Sequence, residues 1–533
     1  MKIIAAGPAS CLRYVYFTAL GKRALKQLVL CRITQIEYAL GRSRAKILDT
    51  IRETLRSGGA RGILLYVSCA DIMTGVDFED IVSKVDNPLN IPVKIFRRGP
   101  MEKRKEPAIK RLRLLLDDIG QKIDGSVGGA RLTENEDAVF LPPLASDFAG
   151  ICSMLNDWSG DILLYGPGGC ASGIVEYEKA HGPMDFSFTK YNDIQASLGH
   201  ERYLEEALRP RLKTGDEGAH VLMGTPVPYI AGFDFGGFSK ALSRHGSPPT
   251  FCLPSNGFKD YSAGIENCLA TLGKSLLPEG KEKERQILVL GCSAMEPVSR
   301  DKLEPAVAAL ENNGFFVNVW GEGGLQTVKR AVSACLCWVV SPAGEKLAEW
   351  LKRECNIPWF SDLPIGRGGM RRFMDTVSLY TNTVLERKEQ DFPESRPEPG
   401  NGTNVLIVSE PLTGLGIQSC LRQDFAHTDS AVAVYGMKRF VSRFGRDGFG
   451  RKVIYFERIE EIKDMIRGAD ILVADPIFDS FAKRWGHEPL FIPVPYPALS
   501  GNLHSRLQFD LLGEEGYRYF HSALNNNKTK EEM

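Results

Sequence analysis

Short apolar runs rich in β-branched residues alternate along this chain with longer stretches whose apolar positions recur every three or four residues. The runs fall at 62–67 (GILLYV), 161–165 (DILLY), 220–223 (HVLM), 286–290 (QILVL), 315–320 (FFVNVW), 336–340, 404–408 (NVLIV), 451–456 and 470–474 (DILVA). Amphipathic stretches between them include 45–56, 201–212, 299–313 and 344–355. Strand and helix in regular alternation mark βαβ units, so the pattern predicts an α/β protein with several Rossmann-like (flavodoxin-like) parallel-sheet domains.

Breaks in the pattern divide the chain. Residues 389–402 (EQDFPESRPEPGNG) are rich in proline, glycine and charge and read as a linker into a last domain. Residues 99–110 are basic, contain two prolines and read as an exposed connection, and 525–533 are polar and expected to fray. An internal repeat adds to this picture. Gly7-Pro8-Ala9-Ser10-Cys11 recurs as Gly166-Pro167-Gly168-Gly169-Cys170, 159 residues later. Ile36-Glu37-Tyr38-Ala39-Leu40-Gly41 recurs as Ile194-Gln195-Ala196-Ser197-Leu198-Gly199 at an offset of 158, and Met73-Thr74-Gly75-Val76-Asp77-Phe78 as Ile230-Ala231-Gly232-Phe233-Asp234-Phe235 at 157. Residues 1–125 are therefore expected to be a partial copy of the α/β domain at 126–285, followed by a middle domain at 286–395 and a last one at 403–533.

Composition narrows the function classes. Lys plus Arg (66) equals Asp plus Glu (66) in 533 residues, so the basic excess of a nucleic-acid or anionic-membrane surface is absent. No apolar run approaches the roughly 18 residues that cross a bilayer. Twelve scattered cysteines without a secretory signal point to a reducing cytoplasm, where cysteine fills cores, binds metal or acts as a nucleophile. No Ser-His-Asp or His-Glu-x-x-His pattern supports a hydrolase.

Gly-Pro-x-x-Cys after a strand forces a tight turn and presents a thiol at the carboxyl end of the sheet. Taken alone, it also describes a strand-end loop with a buried cysteine. In order, however, the chain runs strand, Gly-Pro-x-x-Cys, helix, Leu-Gly helix start, strand, Cys- or Thr-Pro turn and Gly-x-Asp. That order resembles the first domain of the nitrogenase component 1-like superfamily, which includes nitrogenase molybdenum–iron proteins, dark-operative protochlorophyllide reductase and the F430-forming reductive cyclase. Pro254-Ser255-Asn256-Gly257-Phe258, Leu336 to Pro342 with Asn356-Ile357-Pro358-Trp359, Ala469 to Pro476 and Pro493 to Pro497 are similar to its later segments.

The resemblance implies a nitrogenase component 1-like fold and an oxidoreductase component that relays electrons from an ATP-hydrolysing iron–sulfur reductase. A 4Fe-4S cluster would carry them to an organic substrate, with a tetrapyrrole among the candidates. Carried over residue by residue, it gives Cys11, Cys69 and Cys170 as metal ligands, with Cys152 as an accessory. The second copy has Thr225-Pro226 at its downstream ligand position and Leu141-Pro142-Pro143 at its upstream one. An extra first domain would let the chain form internally an interface that the family builds between homologous subunits, and a homodimer or a homologous partner subunit is expected beside it. Val340-Ser341 offers no thiolate for an iron–molybdenum cofactor, so nitrogen fixation is not expected. A non-catalytic scaffold for cluster or tetrapyrrole assembly, and a partner subunit without a cluster, remain open alternatives.

Two glycine-rich turns complete the candidates. Gly366-Arg367-Gly368-Gly369-Met370-Arg371-Arg372 is expected to precede a helix at 371–385, which makes Gly366, Arg367 and Arg371 candidates for binding a carboxylate or phosphate. Gly321-Glu322-Gly323-Gly324 follows a strand and lacks a full dinucleotide fingerprint. Cys335 and Cys337 share one face of a strand and read as core, and His200 as solvent-facing.

Overall fold

The computed structural model describes residues 1–97, 110–112, 114–115, 140–156, 158, 161–167, 170, 186–189, 219–243, 249–278, 282–322, 324–386, 403–444 and 452–525. Within them lie four sheets whose strand pairs are all parallel. The first is built from β1 (Lys2–Gly7), β2 (Leu28–Arg32), β3 (Ile63–Val67) and β4 (Val93–Arg97), in the order β2-β1-β3-β4. The second, from β5 (Ile162–Tyr165), β6 (Ser187–Phe188), β7 (His220–Gly224) and β8 (Thr250–Leu253), repeats that order as β6-β5-β7-β8. The third has it again, as β10-β9-β11-β12, from β9 (Gln286–Leu290), β10 (Phe316–Val319), β11 (Leu336–Val339) and β12 (Trp359–Ser361). The fourth runs β15-β14-β13-β16-β17, from β13 (Val405–Val408), β14 (Ser430–Tyr435), β15 (Lys452–Phe456), β16 (Ile471–Ala474) and β17 (Leu490–Pro493).

The chain divides into two compact units. One comprises Met1–Phe148, Gly160–Glu176 and Pro183–Lys259 and holds the first two sheets; the other comprises Ala149–Ser159, Tyr177–Gly182 and Asp260–Met533 and holds the last two. The Leu-Gly landmark at 198–199, His200, the helix expected at 201–212, the linker at 389–402 and nearly all of 99–110 lie outside the described residues. Among the described residues no helix is long and apolar enough to cross a membrane.

A parallel pair needs a crossover long enough to return the chain to the same end of the sheet, and helices supply it. They cover both faces, so alternate residues of one strand enter different cores. Ile4 and Ala6 of β1 pack with Ile63, Leu65 and Val67 of β3 against Ile47 and Ile51 of the helix Ser43–Arg56. Ala5, between them, faces Leu12 and Tyr16 of the helix Ala9–Gly21. In the other unit Trp338 of β11 is fully buried beside Phe373, and its indole N–H donates to the Asp362 carbonyl at 2.7 Å.

The first two sheets are equivalent beyond strand order. β3, its N-cap Ser68, the helix Cys69–Met73 and Gly75 (φ +68°) recur 157 residues later as β7, Thr225, the helix Pro226–Ile230 and Gly232 (φ +75°). Gly7 ends β1 with its α-carbon pressed on Ser68, so that an added Cβ would lie 2.8 Å from the Ser68 Cβ; Gly166 stands in the same relation to Thr225. Gly7 also has φ +145°, which favours glycine. Gly7→Ala is therefore expected to destabilise the protein by about 1–3 kcal/mol, whereas Gly75→Ala, with nothing near its added Cβ, costs about 1 kcal/mol. Urea unfolding followed by circular dichroism checks that ordering.

Candidate metal centre

In the first sheet the chain leaves β1 for β2 on one side and then returns to place β3 on the other. Loops leaving β1 and β3 at their carboxyl ends consequently turn away from each other and leave a crevice between them. Pro8 caps the helix Ala9–Gly21, which puts Cys11 in its first turn. Ser68 caps the helix Cys69–Met73 with a capping box, its hydroxyl receiving the Asp71 N–H, and Cys69 is the first helical residue. Both thiols thus stand at the one crevice of the first sheet. Gly166-Pro167 ends β5 at the matching crevice of the second sheet, and the Cys170 N–H donates to the Pro167 carbonyl at 2.9 Å to close the turn.

Equivalent elements of the two copies then meet within this unit. The helix Cys69–Met73 packs on its counterpart Pro226–Ile230, as in a contact between twofold-related surfaces. Cys69, Met73 and Cys170 join the apolar cluster of Leu163, Tyr165, Leu222, Val227 and Phe235. Around it the Gln35 amide donates to the Tyr229 hydroxyl (2.5 Å), the Ser10 N–H to the Gly257 carbonyl (3.2 Å) and the Arg13 guanidinium to the buried Pro143 carbonyl (2.6 Å). Tyr38 and Tyr229 both rest on Phe258.

The three thiols lie within electrostatic reach of one another. Burial pushes the Cys11 thiol up to about 12, and the neighbouring Cys69 and Asp71 add to the rise. A place in the first turn of a helix ordinarily favours thiolate; here loss of water outweighs it. Burial raises Cys170 well above the usual thiol range, with Cys11 and Cys69 contributing and the Thr225 hydroxyl opposing. Asp71 is fully buried and takes three donors, the Ser68 N–H (3.0 Å), the Ser68 hydroxyl (2.6 Å) and the Tyr38 hydroxyl (2.6 Å). Those bonds engage it structurally, while its charge acts on Cys11. No three His, Cys, Asp or Glu side chains among the described residues are arranged to hold a single metal ion. The donor set fits an iron–sulfur cluster: three half-buried thiols of the type such clusters use, drawn from three strand-end turns beside an apolar cluster, where bound cationic iron would favour thiolate.

The remaining candidates lie elsewhere. Cys152 is in the second unit, fully buried, and its partner is the equally buried Cys268. The expected turn at 366–372 is helical from Gly366 onward, so Gly366, Arg367 and Arg371 belong to the helix Gly366–Thr381. Gly366 is needed for packing, because an added Cβ would meet the Cys420 Sγ and the Asp424 carboxylate, and its φ is +70°. Arg367 forms a two-pronged ion pair with Glu514 and stacks over Tyr517. Arg371 borders a shallow pocket of about 590 Å³ with Arg372 and Asp375. None of the twelve cysteines is in a disulfide, and Cys337 is wholly buried in β11.

Sequence reasoning missed a cavity of about 830 Å³ in the second unit. Turns after β9, β10 and β17 line it with Cys292, Glu296, Arg300, Lys302, Trp320 and His504. The Lys302 ammonium sits 3.1 Å from the centre of the Phe509 ring, and burial brings it down to about 8. Burial and the nearby Glu410 push Glu296 well above the carboxylate range, and Ser341 donates to it at 2.9 Å. Glu322, in the second glycine-rich turn, pairs with Arg300 at 2.8 Å. These residues come from separate strand ends and share no local motif.

Comparison with known proteins agrees with the fold. Residues 161–417 match the family described as nitrogenase component 1 type oxidoreductase. The solved structure titled "Nitrogenase Cp1 at pH 6.5" superposes with a TM-score of 0.57 at 14% identity, covering 75% of this chain and 96% of that one. "Nitrogenase Cp1 at pH 5" gives a TM-score of 0.51 at 14% identity over 74% and 90%. No curated protein matches the chain in sequence.

Removing the Asp71 charge lowers the Cys11 pKa, because a neighbouring anion disfavours thiolate. Asp71→Asn is therefore expected to speed alkylation of Cys11 in the metal-free protein between about pH 8 and pH 10, by up to about tenfold for a shift of one unit. Mass spectrometry of the labelled peptide checks this; an unchanged Cys11 rate contradicts it.

Proposed function

We propose, from the match of residues 161–417 to the nitrogenase component 1 type oxidoreductases and the shared fold, that the chain is a reductase component of that superfamily in which Cys11, Cys69 and Cys170 hold a 4Fe-4S cluster. The observation that carries the reading is the convergence of these three thiols from three strand-end turns of one chain, two of them equivalent Gly-Pro turns. When bound, such a cluster supplies one-electron transfer. The protein's part is to exclude water with the surrounding apolar side chains, to fix the thiols at two helix starts and a tight turn, and to set a buried anion, Asp71, beside Cys11. Electrons come from an ATP-hydrolysing iron–sulfur reductase of the kind such components use, in a reducing cytoplasm.

The substrate is an organic molecule, with a tetrapyrrole as the first candidate, and the cavity beside β9 and β10 is its proposed site. Its volume suits a ligand of drug size or larger. Reduction of an unsaturated molecule consumes protons as well as electrons, and Glu296, kept neutral by burial at the cavity wall, is placed to donate one. Lys302 and Arg300 supply positive charge for a substrate carboxylate.

Anaerobic reconstitution with iron and sulfide is expected to load about four irons per chain and to give a cluster absorption and, after reduction, an EPR signal. Cys11→Ala, Cys69→Ala and Cys170→Ala each reduce or abolish both while circular dichroism is retained. Four identical spectra, or substoichiometric iron in a folded wild type, overturn the reading. Reduction of the loaded cluster that depends on both the reductase and ATP hydrolysis separates a catalytic component from a scaffold.

A further inference from the structure

The equivalence of the two copies gives a more specific statement about the cluster, resting on the reading above. Cys11 corresponds to Cys170, each following a Gly-Pro turn at the end of the first strand of its sheet. Cys69 corresponds to Pro226: each is the first residue of the short helix after the third strand, each follows a hydroxyl-bearing N-cap, and each lies six positions before a left-handed glycine. The register leaves no latitude, since β3 to Gly75 matches β7 to Gly232 without insertion. Thr225 is thereby the counterpart of Ser68, and Gly166 rests on it as Gly7 rests on Ser68.

A proline side chain offers no donor atom. The other cysteines of this unit do not take the place. Cys31 lies within β2, where it receives the Thr50 hydroxyl. Cys252 lies within β8, and its electrostatic neighbour is Asp234. The remaining seven cysteines belong to the other unit. Asp71 is held by three donors of its own. We infer that the site provides three protein thiolates and that Pro226 leaves one iron without one, open to an exogenous small ligand such as water.

An iron of this kind is the first to leave on oxidation. One-electron oxidation of a 4Fe-4S cluster in its 2+ state by ferricyanide releases one ferrous ion and leaves a 3Fe-4S cluster in its 1+ state, with the electron on ferrocyanide. The full-length chain is reconstituted anaerobically as wild type, Pro226→Cys and Pro226→Ala, then treated with stoichiometric ferricyanide. Wild type and Pro226→Ala are expected to lose about one iron in four and to develop the EPR signal of a three-iron cluster. Pro226→Cys, with a thiol at the position equivalent to Cys69, is expected to keep its iron and stay EPR-silent. Mössbauer spectra of iron-57-loaded wild type provide a measurement independent of any substitution, and one iron distinct from the other three is expected. A wild type that keeps all its iron with no distinct site, or a folded Pro226→Cys that loses iron as wild type does, overturns the inference and leaves the cluster reading standing. Failure of every protein to take up iron overturns both.

Discussion

Reversal of strand order beside the first strand of a sheet is the constraint from which the candidate centre follows. A parallel sheet grown outward from one strand in both directions cannot bridge the gap between its first and third strands with loop backbone, because those loops depart to opposite sides. Whatever stands at the two turns is left facing a crevice. In the first sheet the turns carry Cys11 and Cys69; in the second they carry Cys170 and Pro226. Packing the helix Cys69–Met73 on the helix Pro226–Ile230 joins the two crevices within one unit, so the chemistry is a by-product of topology repeated twice.

Desolvation then determines what these thiols can be. Burial and mutual proximity favour the protonated forms of Cys11 and Cys170, and Asp71 makes ionisation of Cys11 harder still. An anion placed beside thiols is poor design for a nucleophile, which needs a depressed pKa. Beside a bound cation the same anion is compensated, and it stabilises the more oxidised, more positive state. The apolar wall formed by Leu163, Leu222 and Phe235 serves either state by keeping water from competing for the charge.

Much of this was legible in the sequence because central strands of parallel sheets are covered on both faces and read as unbroken apolar runs. β3, β7, β9, β11 and β13 all announced themselves in this way. β1, β2, β4, β6, β8, β12, β14 and β17 were not among those runs; all but β1 and β14 are edge strands, where partial exposure admits residues such as Arg32, Lys94 and Ser187, although the edge strands β10 and β15 were found. The two Gly-Pro-x-x-Cys turns were legible because tight turns constrain composition locally. Nothing local announced that Cys152 lies beside Cys268 in the second unit, since nearness in sequence to Cys170 carries no such information. Arg367 and Arg371 stood near glycines that suggested an anion-binding turn, yet Gly366 serves close packing on Cys420, and Arg367 finds its carboxylate in Glu514, 147 residues away. The cavity was invisible for want of any local pattern, since its walls are assembled from four separate stretches of chain.

Covalent union of the two copies has a consequence for symmetry. Identical subunits meeting across a twofold axis must present the same residue on both sides, so a thiol gained or lost on one side is gained or lost on the other. One polypeptide is free of that obligation. Cys69 can face Pro226, and Asp71 can face Pro228, its counterpart in the second copy, without either half constraining the other. The tether also fixes the pairing at one to one, at an effective concentration independent of expression level. Such a centre has a chemically distinguishable left and right, which a symmetric dimer cannot have.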